Sequence, residues 1–188
     1  MKKKTTHELG RISAEAFEKA PKLPLRVVLD NVRSQHNIGA VFRTADSFLL
    51  DEIELCGIWC CPPNQELHKT ALGAEETVAW RYWKDTLEAV HALHEEGYTV
   101  YAVEQAFDSV TLREAAIKVQ TPPDLPSREE KGRRIAVVFG HEVFGVQQEV
   151  IDACDGCIEI PQYGTKHSLN VSVTAGIVLY ELSEALRA

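Results

Sequence analysis

Short continuous runs of apolar residues alternate with stretches of helical periodicity through most of the 188-residue chain. Continuous apolar runs of strand length are typical of strands that are buried on both faces, and such strands occur in parallel sheets covered by helices. Runs that predict strands cover residues 25–29, 52–56, 98–103, 134–139 and 157–160, and a shorter β-branched run covers residues 77–80. The alternation therefore predicts an α/β fold with a mainly parallel sheet and helices on both faces.

Helices and loops are predicted for most of the segments between these runs. Apolar residues at helical spacing predict helices at residues 37–49, 86–96, 147–153 and 169–186. Residues 59–74 are expected to be loop-rich because Pro62, Pro63 and Asn64 favour a turn. Residues 120–131 are polar and rich in proline, which predicts a surface loop.

The amino-terminal residues differ from the rest in composition. Residues 8–19 have a partial apolar stripe and predict one amphipathic helix, so residues 1–24 are expected to form an arm or packing helix on a domain of residues 25–188. Lys2–Lys4 are basic, but no apolar stretch follows them, as a signal peptide would require. No apolar run reaches the roughly 18 residues of a membrane helix. A cytoplasmic protein without a membrane partner is expected.

Charge and cysteine content restrict the partners. The formal net charge of −8 counts against general nucleic-acid binding, so an RNA-binding role would need a local basic patch.

Five cysteines are an odd number for a disulfide framework. Cys154 and Cys157 have the spacing of half a zinc site, but Cys60 and Cys61 lack the spacing of the other half. Buried free thiols are therefore the favoured interpretation.

The first of three polar motifs covers residues 30–45, directly after a predicted strand. Asn37 is a candidate N-cap of the following helix. Arg33, His36 and Arg43 bring cationic or donor groups to the same region, where the helix dipole also favours an anion. The alternative is a capped helix whose arginines are simply solvated.

The second and third motifs also follow predicted strands. Gly140-His141-Glu142-Val143-Phe144-Gly145 lacks the third glycine of a dinucleotide fingerprint and the lysine of a phosphate loop, and a tight turn with a surface glutamate is the alternative. In residues 160–176, a glycine-bearing loop with Lys166 and His167 leads into a helix. Ser172, Ala175 and Gly176 in that helix imply that something packs closely on it. The carboxyl ends of strands are where open α/β sheets bind ligands.

Together the three motifs resemble those of the SpoU/TrmH family of RNA methyltransferases, within the SPOUT superfamily, in order and spacing over residues 25–186. The resemblance implies an S-adenosylmethionine-dependent transfer of a methyl group to a ribose 2′-hydroxyl of transfer or ribosomal RNA, with S-adenosylhomocysteine as the product. It also implies a carboxy-terminal deep trefoil knot and a homodimer with the site close to the subunit interface.

The resemblance assigns roles to particular residues. The positions around the reaction centre are Asn37, Arg43, Glu142, Ser168 and Asn170. The positions that hold the cofactor are Glu104, Gly140, Glu142, Gly145, Ile160 and Leu169. The basic residues expected to bind RNA are Arg33, His36, Arg43, Lys69, Lys166 and His167. No metal is expected. Arg43 is expected to bind RNA phosphate and stabilise the developing alkoxide, because the pKa of arginine, above about 12, makes it a poor base.

Two other functions remain open. The same fold could bind RNA or cofactor without turnover, which would be shown by cofactor binding in the absence of methyl transfer. An ordinary nucleotide-binding α/β enzyme would bind a dinucleotide or ATP instead of S-adenosylhomocysteine. About 24 residues precede the first predicted strand, whereas many family members that act on ribosomal RNA carry a separate RNA-binding domain. The catalytic domain and its arm are therefore expected to hold the RNA.

Overall fold

The computed structural model of the protein describes residues 1–5, 7–120 and 133–188. The strands are β1 (Leu23–Asp30), β2 (Leu50–Cys56), β3 (Ala79–Trp83), β4 (Thr99–Val103), β5 (Val110–Thr111), β6 (Ile135–Phe139) and β7 (Gly156–Glu159). They form one sheet in the order β3-β2-β1-β6-β4-β7-β5, and every strand pairing in it is parallel. The predicted parallel α/β sheet is confirmed.

Helices cover both faces of this sheet, as predicted. They are α1 (Ala14–Lys19), α2 (Gln35–Ser47), α3 (Gln65–Ala71), α4 (Ala74–Thr77), α5 (Thr86–Glu95), α6 (Leu112–Gln120), α7 (Gln148–Ala153) and α8 (Val171–Arg187). Leu25, Val27 and Leu29 of β1 lie in an apolar cluster with residues of α2, α3, α6 and α8. Val28 lies in a second cluster with residues of α5 and α7, because successive strand residues point to opposite faces.

The amino-terminal helix is shorter than predicted. A 3₁₀ turn at His7–Leu9 is separated from α1 by Gly10, whose φ of +62° does not continue a helix. The side chain of Ser13 caps α1 by accepting a hydrogen bond from the backbone N–H of Ala16 at 3.2 Å. Phe17 of α1 is buried in the first apolar cluster, so this segment packs on the domain.

The segment predicted to be loop-rich contains a helix. Asn64 accepts hydrogen bonds from the backbone N–H groups of Glu66 and Leu67 and so starts α3, whose Leu67 is fully buried. The β-branched run at residues 77–80 is displaced, since β3 covers Ala79–Trp83. The pair β5 and α6 was not predicted from the sequence, and residues 121–131 of the predicted polar loop lie outside the described residues.

The cysteines in the described residues are free, and four of them are buried while Cys154 is partly exposed, which confirms the interpretation as thiols packed in the interior. Among the residues that the structure describes, every helix is too short or too polar to cross a bilayer. The three polar motifs directly follow β1, β6 and β7, and the parallel direction of these strands brings the motifs to one edge of the sheet.

Candidate functional site

The carboxylate of Glu142 joins the loop after β6 to the segment after β1. Its Oε1 accepts hydrogen bonds from the backbone N–H of Ser34 at 2.9 Å and from the side-chain amide of Asn37 at 3.1 Å. Its Oε2 accepts a hydrogen bond from the backbone N–H of Arg33 at 3.2 Å. One side chain of the second motif therefore binds three groups of the first motif.

These contacts also govern the ionisation of Glu142. Burial opposes the charged form, but hydrogen bonds from the backbone N–H groups of Glu142 itself, Ser34 and Arg33, together with the Asn37 amide, hold the pKa of the carboxyl below its ordinary value. A carboxylate with a lowered pKa, already occupied by donors, is a poor proton acceptor. Its chemistry suits the joining of two loops rather than general base catalysis.

Asn37 connects this carboxylate to the third motif. The side-chain amide of Asn170 donates a hydrogen bond to Oδ1 of Asn37 at 3.2 Å. Oδ1 of Asn170 in turn accepts hydrogen bonds from the backbone N–H and the hydroxyl of Ser172, which makes Asn170 the N-cap of α8. A continuous hydrogen-bonded series, Asn170 to Asn37 to Glu142, thus joins all three motifs.

The role expected for Asn37 at the start of α2 is wrong. The helix begins at Gln35 with Ser34 as its N-cap, and Oγ of Ser34 accepts a hydrogen bond from the backbone N–H of Asn37 at 3.4 Å. Because Ser34 supplies the capping oxygen, the side chain of Asn37 is available to bind Glu142 and Asn170. The third-motif helix likewise begins at Val171, after its cap, and not at Leu169.

Two glycines allow the loop after β6 to fold back on itself. The backbone groups of His141 and Gly145 form two mutual hydrogen bonds, at 3.0 and 2.9 Å. A Cβ on Gly140 would lie 2.1 Å from the carbonyl carbon of Gly145, so the closed loop excludes any larger residue there. Gly145 has a φ of +69°, and its Cβ would lie 2.1 Å from a carboxylate oxygen of Glu104.

Glu104 and Gln105, which follow β4, hold the second and third motifs in place. Oε2 of Glu104 accepts a hydrogen bond from the backbone N–H of Val146 at 3.1 Å. Gln105 donates a hydrogen bond from its side-chain amide to the carbonyl oxygen of His167 at 2.7 Å. The residues after β4 therefore bind both the second and the third motif.

Asp30, the last residue of β1, is a positioning residue that the sequence analysis did not identify. Its side chain is fully buried and accepts hydrogen bonds from the hydroxyl of Thr86 at 2.6 Å and from the amide of Asn31 at 3.0 Å. It also accepts hydrogen bonds from the backbone N–H of Gln147 at 3.1 Å and from its side-chain amide at 2.9 Å. The available signal was an acidic residue that continues an apolar strand without interruption.

An open cleft of about 1170 Å³ lies between the second and third motifs and the residues after β4. Its lining includes most residues expected to hold the cofactor or to surround the reaction centre, namely Glu104, Gly140, Glu142, Gly145, Ile160, Ser168, Leu169 and Asn170. The charged residues in the lining are Glu104, Glu142, Asp152 and Glu159, and the described lining contains no lysine or arginine. The cleft therefore favours a cationic ligand over a polyphosphate.

The arginines expected at the site lie outside this cleft in their own chain. Arg33 and Arg43 are exposed, and within the described parts of the chain their guanidinium groups form no hydrogen bond or ion pair. Lys166 and His167 are exposed in the third motif, and His167 lines the cleft. These groups are available to an external anion.

Two other residues expected to bind RNA are paired with a carboxylate. Nε2 of His36 lies 3.4 Å from Glu66, and Nζ of Lys69 lies 2.6 Å from the same carboxylate. This pairing reduces the positive field that they present. Nearby, the side-chain nitrogen or oxygen atoms of His68, Glu75 and Glu76 lie within 4.8 Å of one another, and Nδ1 of His68 forms a hydrogen bond with Oε1 of Glu75.

Known proteins with similar sequence support a common family. The family model for the SpoU rRNA Methylase family matches residues 24–180. A Thermus thermophilus protein named tRNA (guanosine(18)-2′-O)-methyltransferase is 33% identical over 96% of this chain and 84% of its own length. A Nitrosomonas europaea protein named 23S rRNA (guanosine-2′-O-)-methyltransferase RlmB is 32% identical over 84% of this chain, which spans 55% of that protein.

A solved structure agrees with the sequence comparisons. The TrmH/SpoU tRNA modifying enzyme of A. aeolicus superimposes with a TM-score of 0.74 at 26% identity, over 93% of this chain and 80% of that one. The family match covers all three motifs and the strands that carry them. On this evidence the chain belongs to the SpoU rRNA methylase family.

Proposed function

We propose that this protein transfers a methyl group from S-adenosylmethionine to a ribose 2′-hydroxyl of transfer or ribosomal RNA. The observation that carries the proposal is the series Asn170–Asn37–Glu142, which joins the three family motifs beside an acidic cleft. Relatives named for 2′-O-methylation of tRNA and rRNA support the reaction and the class of substrate. Because bacterial relatives are named for modification of tRNA and rRNA, the cytoplasm is the proposed compartment.

The cleft suits S-adenosylmethionine on chemical grounds. The molecule carries a sulfonium and, at neutral pH, an ammonium and a carboxylate, so its net charge is positive. The carboxylates of the described lining, with no lysine or arginine beside them, favour such a cation and disfavour the diphosphate of a dinucleotide. Ile160 and Leu169 provide apolar surface, and the loops that contain Gly140, Gly145 and Leu169 bring backbone groups to the cleft.

The residues of this chain contribute position and charge to the reaction. When bound, S-adenosylmethionine supplies an electrophilic methyl group to the ribose oxygen. Direct displacement requires that this oxygen be held in line with the methyl group, and the hydrogen bonds between the motifs position the cleft walls for that alignment. Arg43 binds RNA phosphate and stabilises negative charge on the 2′-oxygen. A phosphate oxygen or water accepts the proton, because Glu142 is occupied by its donors.

A homodimer is part of this proposal. Helix α8 exposes Val173, Ile177 and Tyr180, which lie at helical spacing. Apart from its chain neighbours and the backbone of its own helix, no atom of the described residues lies within 4 Å of a Cβ placed on Gly176. This apolar stripe with a gap for close approach suits a second copy of the chain. Arg43 lies outside the cleft of its own chain, and a dimer allows it to serve the cleft of the partner subunit.

Two further expectations join the proposal. The carboxy-terminal knot is part of the proposal because the chain belongs to the SpoU rRNA methylase family, for which the resemblance of the motifs implies a knot. The division into an arm of residues 1–24 and a domain of residues 25–188 is supported by the family match at residues 24–180. A crystal structure traced continuously through residues 100–188 tests the knot.

Methylation of total RNA from a strain that lacks the gene tests the reaction directly. Purified protein and labelled S-adenosylmethionine should label RNA from that strain and not RNA from the parent, and mapping should place the label on a ribose. S-adenosylhomocysteine should raise the melting temperature by mass action. Cofactor binding without labelling of any RNA would favour the silent binding module, and no cofactor binding at millimolar concentration would reject the assignment.

A further inference from the structure

The loop after β2, residues 57–61, contacts the first motif at both of its ends. Gly57 has a φ of +74°, and a Cβ there would lie 2.1 Å from Oδ1 of Asn31. At the other end, Sγ of Cys60 donates to the carbonyl oxygen of Arg33 at 3.5 Å. The side chains of Cys60 and Cys61 are buried in the first apolar cluster. The backbone of residues 57–61 is therefore held against the first motif.

Trp59 projects from this fastened loop into solvent. Its side chain is 70% exposed, although its neighbours Cys60 and Cys61 are buried. The ring of Tyr82 packs against the indole in an edge-on arrangement with centroids 4.5 Å apart, and the hydroxyl of Tyr82 donates to the carbonyl oxygen of Gly57 at 2.7 Å. An exposed indole whose position is fixed by packing against Tyr82 offers a large apolar surface to a ligand.

Trp59 belongs to a loop that contacts the first motif, and it lies outside the cleft. Trp59 precedes Cys60, which contacts Arg33, and the backbone N–H of Arg33 binds Glu142 at 3.2 Å. Neither Trp59 nor Arg33 belongs to the cleft lining. The exposed guanidinium of Arg33 has no partner among the described residues. An exposed aromatic ring and a cation without a partner among the described residues thus lie on segments that are linked to Glu142 through the first motif and do not line the cleft.

We propose that Trp59 and Arg33 bind the substrate RNA next to the nucleotide that is methylated. Trp59 stacks on an unpaired base, and Arg33 binds a neighbouring phosphate. Single-stranded RNA is characteristically recognised by stacking on aromatic side chains, which tolerates any base because every base has a π-face. This inference rests on the proposed function. Stacking also contributes RNA affinity that does not depend on a net positive charge. This chain lacks such a charge, since its net charge is −8.

RNA affinity of the full-length protein tests the role of the ring. Unfractionated tRNA and rRNA serve as probes for the wild type, Trp59→Ala, Trp59→Phe and the control His91→Ala, which removes an exposed ring on α5 at the other face of the sheet. Trp59→Ala should weaken binding about fivefold to a hundredfold, the range for one stacked base, and Trp59→Phe should recover most of the loss. The affinity for S-adenosylhomocysteine should stay unchanged.

Salt dependence and fluorescence separate the two contributions. The loss in Arg33→Ala should shrink as salt concentration rises, because it removes a phosphate contact, whereas the loss in Trp59→Ala should persist. RNA should quench the fluorescence of the wild type, which has three tryptophans, and quench Trp59→Phe much less.

The outcomes distinguish this inference from the function on which it rests. If the wild type methylates RNA but Trp59→Ala binds RNA as tightly as His91→Ala does, the inference is overturned and the proposed function stays intact. The inference is also overturned if Trp59→Phe binds RNA as weakly as Trp59→Ala does, or if Trp59→Ala loses as much affinity for S-adenosylhomocysteine as for RNA. Wild type that methylates neither class of RNA would reject the proposed function itself, and the inference with it.

Discussion

At the scale of single residues, the carboxylate of Glu142 has a structural task with a measurable signature. Because its pKa in the folded protein lies below the ordinary value of 4.5, its hydrogen bonds add stability above that value. The added stability is lost as the pH falls through the lower, folded-state pKa. A protonated carboxyl must place its hydrogen against donors, which is the reason for the loss.

Glu142→Gln should therefore destabilise the protein in a pH-dependent way. The substitution places an amide hydrogen among three donors, and the expected cost is about 1 to 2 kcal/mol in the free energy of unfolding near neutral pH, since the group is only partly buried. Urea unfolding should show that the difference in unfolding free energy between the wild type and Glu142→Gln narrows below about pH 4.5. Glu149→Gln, an exposed glutamate on α7, is the matched control. A difference that stays constant down to acidic pH would contradict the joining role.

Asp30 makes a second prediction at this scale. Asp30→Asn should lower the free energy of unfolding by about 1 to 3 kcal/mol, because its new amide hydrogens would face the donors of Thr86 and Gln147 around a fully buried side chain. Since Gln147 follows the second motif, affinity for S-adenosylhomocysteine should fall as well. Asp108→Asn is the control, because Asp108 is exposed and asparagine tolerates its φ of +61°. Titration calorimetry that gives equal affinity for both variants would refute the positioning role.

At the scale of elements, the sequence predicted what depends on local pattern and missed what depends on tertiary context. The strands of the sheet interior were predicted because continuous apolar runs identify them, as at Ile135–Phe139. The two-residue strand β5 carries no such pattern and exists through its pairing with β7. The motif residues could be found in sequence, but the side chains that Glu142 and Asp30 bind depend on strand order and could not.

Helix α8 gives a prediction about assembly. Ile177→Glu should convert a dimer into a monomer, because a charge would be buried in the proposed interface that includes Val173 and Tyr180. The side chain of Ile177 is 40% exposed in the single chain, so the monomer should keep its fold. Sedimentation should give about 21 kDa for this variant and about twice that mass for the wild type and for the control His91→Glu. A wild type that is monomeric and fully active would rule out the interface.

At the scale of the whole molecule, charge is divided between two surfaces. The cleft that suits a cationic cofactor is lined by acidic side chains, whereas the guanidinium groups of Arg33 and Arg43, which have no partner among the described residues, lie outside it. A single chain therefore separates cofactor binding from the groups that would hold RNA phosphate. A dimer whose interface includes α8 can bring the two surfaces together, because α2, which carries Arg43, packs directly against α8.

Mixed dimers test that arrangement. Arg43→Ala alone should lose methyl transfer by roughly a hundredfold or more while keeping its affinity for S-adenosylhomocysteine, and Arg43→Lys should recover little, because a lysine lacks the planar fork. Asn170→Ala alone should also be inactive, since it breaks the link between the third motif and Asn37. When the two inactive variants are unfolded together and refolded in equal amounts, random pairing makes half of the dimers mixed.

If Arg43 serves the partner subunit's cleft, one site of each mixed dimer combines an intact Asn170 with an intact Arg43 from the other subunit. The second site lacks both Asn170 and Arg43. Methyl transfer should then return to roughly a quarter of the wild-type rate, because half of the dimers each carry one working site of two. If Arg43 serves the cleft of its own chain, every site in the mixture contains a defect and no activity returns. Refolded wild type gives the reference rate, and each variant refolded alone gives the background. Recovery therefore assigns Arg43 to the partner subunit's cleft, and its absence assigns Arg43 to its own.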